Sequence, residues 1–277
     1  IAILAEGQYF GEMSLISDEA RNATVECAVD TDLVRISRAD FLRIVEREPE
    51  MMKELRAVYT ERRKNREDIL KNPNLAVINR TLLDLNRGIY RHLDIISQCV
   101  IDTERGGALL ATMPGSRYPY VYPRDSACAS RFLFTAALSP LRASNTAFRL
   151  LGEIARFILH CQRGDGHWGQ RYGTAGEDKA IYRQEDNVAH GVSILCRYLL
   201  AAKARGVDIP QIERYLEAIR KGFDFSMRSY YRNEIHLYYS TTSIHESAIE
   251  EGYSIWVNYA YRLMLELMAR VKEEFDA

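Results

Sequence analysis

Ala147-Phe148-Arg149-Leu150-Leu151-Gly152-Glu153-Ile154-Ala155-Arg156-Phe157-Ile158-Leu159-His160-Cys161 sets apolar residues at 147, 150, 151, 154, 157, 158 and 161. That i, i+3, i+4, i+7 rhythm is one buried face of a helix. Val188, Val192, Leu195, Cys196, Leu199 and Leu200 repeat it, and similar faces read at about 80–97, 126–138, 210–230 and 253–274. Between them lie loops at 101–124, 163–184 and 231–249, rich in Tyr, Trp, Arg and acid. Past residue 75 the chain therefore reads as an array of amphipathic helices in which alternate connections are long, and long loops in a compact helical domain carry function.

Upstream the pattern differs. Ile1-Ala2-Ile3-Leu4, Ala23 to Val29 and Asp32 to Ile36 are short apolar runs bounded by turn residues and predict strands. Ser37 is an N-cap signal before a helix carrying Phe41, Leu42, Ile44 and Val45. Pro49 starts a second helix with Met51, Met52, Leu55 and Val58 on one side. It runs into Glu61-Arg62-Arg63-Lys64-Asn65-Arg66-Glu67-Asp68, which has almost no apolar stripe and reads as a solvated helix or linker closed by Asn72-Pro73.

Composition narrows the classes. The 277 residues carry 37 Lys+Arg against 38 Asp+Glu, a formal charge of -1, and 47% are hydrophobic. That is ample apolar mass for one large domain or two modest ones, and it excludes a disordered chain. Mixed charges near neutrality argue against nucleic acid or an anionic membrane surface as partner, and no apolar run approaches a membrane span. The five cysteines are odd in number and spread among apolar neighbours, which fits reduced core thiols and a cytoplasmic address. A first residue Ile1 that reads as mid-strand gives the expectation of a fragment. The six histidines show no metal-ligand spacing, so no metal is expected.

Phe10-Gly11-Glu12-Met13-Ser14-Leu15 followed by Arg21-Asn22-Ala23-Thr24-Val25 is the sharpest local signal. A Gly opens a short helix whose free amides can receive an anion, a Glu sits at its first turn, and an Arg follows nine residues later before a strand. This suits a ligand with a hydroxyl and a phosphate. The arrangement resembles the phosphate-binding cassette of cyclic nucleotide-binding domains. The resemblance implies Glu12 as ribose ligand, Arg21 as phosphate ligand, and Gly11 and Ala23 as close-approach backbone positions. It covers residues 1–60, the C-terminal half of such a domain and hence a partial β-roll, and the helix after Asp40 would be its lid and hinge. Asn22 stands where a hydroxyl residue would favour guanine, which sets a slight preference for cyclic AMP over cyclic GMP.

In the helical part, Tyr118-Pro119-Tyr120-Val121-Tyr122-Pro123-Arg124-Asp125 joins a ring cluster to an Arg-Asp pair at a helix entrance. Rings plus a charged grip on hydroxyls are what a sugar subsite needs, although Asp125 can equally cap the helix that follows. With Gly107-Ala108-Leu109-Leu110-Ala111 before it, this stretch resembles the opening signature of glucoamylase-type glycoside hydrolases, whose fold is an (α/α)6 barrel. Asp165 to Tyr172, Gln184-Glu185-Asp186 and Ile249 to Ser254 then follow in that family's order. The resemblance implies that Tyr122, Arg124, Asp125, Trp168, Gln170, Arg171 and Asp186 bind an α-glucan or small α-glucoside, that Glu250 is the general acid and that Glu251 is a subsite ligand. Glu246 is a rival for the acid, and an adjacent Glu pair is also what a helix start favours by its dipole. The match runs through about half of the barrel, and the general base of that family falls outside this chain.

The expectation is thus a mainly α chain in three parts: residues 1–60 from a cyclic nucleotide-binding domain, a charged helical linker at 61–78, and residues 79–277 from the first half of a glucoamylase-like (α/α)6 domain. Its activity would be inverting hydrolysis of terminal α-glucosidic bonds under cyclic nucleotide control. The alternative is a catalytically silent barrel that regulates a partner, as in phosphorylase kinase regulatory subunits, which also resemble this family.

Overall fold

A computed structural model describes residues 4, 8–17, 20–21, 23–27, 31–71, 88–139, 143–241 and 251–275. The chain divides into two compact units, Ile1–His92 and Leu93–Ala277.

The first unit is helical where it is regular. α1 (Met13–Ile16) starts at Glu12, whose carbonyl accepts from Leu15 N at 2.9 Å and Ile16 N at 3.0 Å. α2 (Arg38–Arg47) is capped as the sequence implies, the Ser37 hydroxyl accepting from Asp40 N at 3.1 Å. α3 (Pro49–Lys71) follows after one residue and extends through the charged stretch. The strands expected at 23–29 and 32–36 are not formed among the described residues: 23–27 and 31–36 lack a strand ladder and are exposed. A strand needs a partner for its ladder and a covered face, and Val25, Leu33 and Val34 have neither there, with Val34 93% exposed.

Residues 88–99 are helical (α4), and in the second unit they lead into an antiparallel hairpin, β1 (Val100–Thr103) with β2 (Gly106–Leu109), turning at Glu104-Arg105. The long helices are α5 (Pro123–Ala137), α6 (Ala143–Cys161), α7 (Asn187–Ala204), α8 (Ile212–Ser229) and α9 (Ile255–Phe275), with a two-residue ladder, β3 (Tyr231–Arg232) and β4 (Leu237–Tyr238), between the last two. α7 is buried on nearly every side and packs against α5, α6, α8 and α9, so the core lies around it. A helix apolar all round must be central, and that explains why α7 shows little amphipathic contrast while α6 shows a stripe. Cys99, Cys161 and Cys196 are buried, as expected of core thiols, whereas Cys27 and Cys128 are exposed. No described helix is long and apolar enough to cross a membrane.

Candidate functional site

Two constellations stand out, one in each unit. In the first, Glu12 is 4% exposed although it is a carboxylate. Its Oε1 accepts from Arg62 Nη1 of α3 at 2.5 Å, while its Oε2 is buried with no hydrogen-bond partner among the described residues. Arg62 also donates to the Tyr9 carbonyl at 3.3 Å and lies over the Tyr9 ring. Arg21 donates to the Gly11 carbonyl, and Gly11 has φ +85°. A Cβ at Gly11 would stand 2.5 Å from Arg21 Nη1 and displace the end of that side chain, while the positive φ is what favours glycine here. Arg21 is thus held against the glycine that directly precedes Glu12 in the chain. Ala23 is exposed in extended backbone. Arg62 was not among the expected ligands, since its partner lies 50 residues away and its own neighbourhood reads only as a charged helix.

The second constellation is built from three helix starts. Arg124 is the second residue of α5, Asp186 the N-cap of α7 and Trp256 the second residue of α9. On Asp186 Oδ2 converge Arg124 Nε at 3.1 Å and Nη2 at 2.9 Å, Trp256 Nε1 at 2.9 Å and, one turn along α7, His190 Nε2 at 3.2 Å. The Arg124 guanidinium also lies 5.9 Å from the centre of the Trp256 ring. Asp186 is 1% exposed. Burial would raise its carboxyl pKa, but the hydrogen bond and charge of His190, the Arg124 charge and the Trp256 indole outweigh it and hold the group well below the usual carboxylate range. The positive end of α7 acts in the same direction. Asp186 is thus a fixed anion that orients Arg124 and Trp256.

Around this knot, Val121 and Tyr172 exchange backbone hydrogen bonds at 2.9 and 2.8 Å, clamping the two aromatic loops together. Arg171 lies over the Tyr120 ring at 4.5 Å and donates to the Lys179 carbonyl at 2.9 Å. Asp125, in the first turn of α5, is exposed, with Tyr122 at the N-cap position. Three residues expected at the cleft surface are instead packed. Tyr122 is 7% exposed; Trp168, 1% exposed, donates to the Ile158 carbonyl at 2.7 Å; and Gln170, 1% exposed, accepts from Ile181 N at 3.2 Å. Trp168 is buried because Gly191 and Gly222 leave room for its rings against α7 and α8.

Glu185 is buried too, its Oε1 accepting from Thr241 N at 3.2 Å and Oγ1 at 2.6 Å. Next to Thr241, Ser240 exchanges backbone hydrogen bonds with Gly252, both 2.9 Å. Glu251, beside that bridge, is exposed and accepts from the Tyr239 hydroxyl at 3.2 Å. Glu250 and its rival Glu246 lie outside the described residues. Among the described residues no group of His, Cys, Asp or Glu could hold a metal ion. His190 and Trp256 were missed in the sequence: His190 could have been found at i+4 from Asp186, whereas nothing local marks Trp256, 70 residues from its partner.

Comparisons with known proteins place a family match on the first unit. The family description of the cyclic nucleotide-binding domain matches residues 1–48. The chain is 42% identical over 60 residues to the cyclic nucleotide-gated potassium channel mll3241 of Mesorhizobium japonicum, and 36% identical over 62 residues to the cyclic AMP receptor protein of Thermus thermophilus. Each stretch is 22% of this chain, and 17% and 29% of the respective relative, so the chain spans under a third of either. Among solved structures, a wild-type glycosidase is similar with a TM-score of 0.36 and 14% identity, over 67% of this chain and 54% of that one. A further glycosidase structure gives 0.35 and 15% over the same shares.

Proposed function

We propose that this chain joins a cyclic nucleotide-binding unit to a glycoside-hydrolysing unit that acts on terminal α-glucosidic bonds. Residues 1–60 are the C-terminal part of a nucleotide-binding β-roll, 61–78 a linker, and 79–277 the first part of an (α/α)6 barrel. The nucleotide half is supported above all by Glu12, a buried carboxylate with one oxygen held by Arg62 and the other without a partner among the described residues, inside the stretch that matches the domain family. A carboxylate oxygen without a partner accepts a ribose hydroxyl, and Arg21 pairs with the cyclic phosphate once it leaves the Gly11 carbonyl. Cyclic AMP is preferred over cyclic GMP.

For the sugar half, support comes from the Arg124–Asp186–Trp256 knot, which presents a cation and an aromatic edge at three converging helix starts. Arg124, Asp125, Arg171 and Glu251 grip hydroxyls, while Tyr122, Trp168 and Gln170 support the cleft from beneath. Glu250 protonates the glycosidic oxygen, and inversion requires a second carboxylate about 6.5–9.5 Å away to activate water. Asp186, held ionised by the donors on its Oδ2, positions side chains rather than exchanging protons, so the acid role falls to Glu250.

Trp256 provides the test. It is 38% exposed whereas Trp168, the second tryptophan, is 1% exposed, so ligand-dependent fluorescence reports on the knot. Titration with maltose should change the emission saturably in the wild type and leave Arg124→Ala unchanged. No change in the wild type rejects the sugar reading; binding without hydrolysis by the full-length protein selects the silent barrel.

A further inference from the structure

An open cavity in the helical unit is lined by the β1–β2 turn, α6, Tyr198 of α7 and the start of α8, none of them part of the knot, and has a volume of about 530 Å³. That is within the range of small-molecule sites, about 300–1,000 Å³. Its charge is one-sided. Arg105, Arg149, Arg156 and Arg214 line it against Glu104 and Glu153, and Glu153 is already paired with Arg156. Arg105 donates to the Ala175 carbonyl and Arg214 to the Gln211 side chain at 2.8 Å, and neither these two nor Arg149 is paired with a carboxylate among the described residues. His160 lies among them, and burial together with the charges of Arg105 and Arg214 lowers its pKa. The cavity thus carries four arginines against two carboxylates, with Arg105 and Arg214 grouped about His160.

The rest of the lining is aromatic and hydroxylated. Tyr198 stands between Phe148, with ring centres 5.8 Å apart, and Tyr215, 5.5 Å apart. Neither tyrosine hydroxyl has a hydrogen-bond partner among the described residues, so both are donors open to a ligand. Gln211, which leads the chain into α8, is held at φ +57°, and its side chain makes no cap, so the first amides of α8 at the cavity edge also lack a side-chain acceptor.

The geometry points to a binding site for a phosphate monoester with a hydroxylated body, such as a sugar phosphate. Its phosphate lies by Arg105 and Arg214, the two arginines whose charges reach His160, and its body lies against Tyr198 and Tyr215. Guanidinium groups suit the planar, multidentate recognition of phosphate oxygens, and tyrosine hydroxyls suit the body's hydroxyl rim. This site is independent of the nucleotide cassette and of the knot.

The test is calorimetric titration of the Arg21→Ala chain, which removes the cassette's phosphate ligand, with glucose 6-phosphate, inorganic phosphate and glucose. Glucose 6-phosphate should bind at least about tenfold more tightly than either of the others, and Arg214→Ala or Arg105→Ala should each weaken it about tenfold or more, the loss expected for a charge-assisted hydrogen bond. Circular dichroism confirms the fold of each variant. Tyr215→Phe, which removes only a hydroxyl, should weaken the ester and leave inorganic phosphate unchanged. In proton NMR, saturating ester should raise the titration midpoint of His160 by offsetting the two arginine charges. The proposal is overturned by absence of binding at millimolar ester, by equal affinity for ester and inorganic phosphate, or by unchanged affinity in the folded arginine variants.

Discussion

Arg124 and Asp186, 62 residues apart in sequence, meet through two hydrogen bonds to one carboxylate oxygen at 3.1 and 2.9 Å, tying the start of α5 to the start of α7. The side chain of Asp186 is 2% exposed and that of Arg124 18%. Truncating one partner of such a pair leaves a buried charge uncompensated. Asp186→Asn should therefore lose roughly 3–5 kcal/mol of unfolding free energy, read by chemical denaturation.

The same pair sets an acid limb of stability. A carboxyl held low in the folded state stabilises the fold at pH values above its unfolded pKa of about 3.9, and that contribution disappears as pH falls through the lower folded value. The stability gap between wild type and Asp186→Asn should be constant above about pH 5 and shrink below about pH 4. A gap that grows on acidification contradicts the assignment.

Gly191 faces the Trp168 ring so closely that an added Cβ would stand 2.5 Å from Cδ2. Both lie in the packed core, where overfilling costs about 1–3 kcal/mol. Gly191→Ala should lower the melting temperature measurably, whereas Gly164→Ala, with nothing near its Cβ position, should cost far less.

How far was this legible in the sequence? The stripe from Ala147 to Cys161 fixes α6 because its period is local, and Ser37 with Asp40 fixes the start of α2 for the same reason. The Arg124 and Asp186 motifs were visible, but not their junction, because the pairing is long-range. β1 and β2 were read within a loop: four-residue strands containing Gly106 and Gly107 carry too few side chains for a period of two. Trp168 was expected in the cleft by resemblance alone, and its burial against Gly191 and Gly222 depends on residues of two distant helices that no local pattern marks. Val25, Leu33 and Val34 have the composition of strands, but composition cannot supply a partner ladder.

On the proposed reading, Glu250→Gln should cost about 10²–10⁴ in kcat with sugar binding retained, and an aryl glucoside with a good leaving group should restore much of the activity. Glu251→Gln should act mainly on KM. If Glu246→Gln shows the large loss and the rescue instead, the acid is Glu246; if neither does, the silent-barrel reading stands.

Arg62 holds Glu12 from α3, so it fixes the carboxylate that is to receive the ribose. Arg62→Ala should weaken cyclic nucleotide binding by roughly tenfold, the scale of one charge-assisted hydrogen bond, without touching maltose binding.

The most direct measurement is calorimetric titration of the wild-type chain with cyclic AMP and cyclic GMP, repeated for Arg21→Ala and Glu12→Gln. Saturable heat should appear with cyclic AMP, more weakly with cyclic GMP, and each substitution should reduce affinity by about tenfold or more while circular dichroism stays unchanged. Absence of heat with both nucleotides, or equal binding by the wild type and Arg21→Ala, would contradict the account.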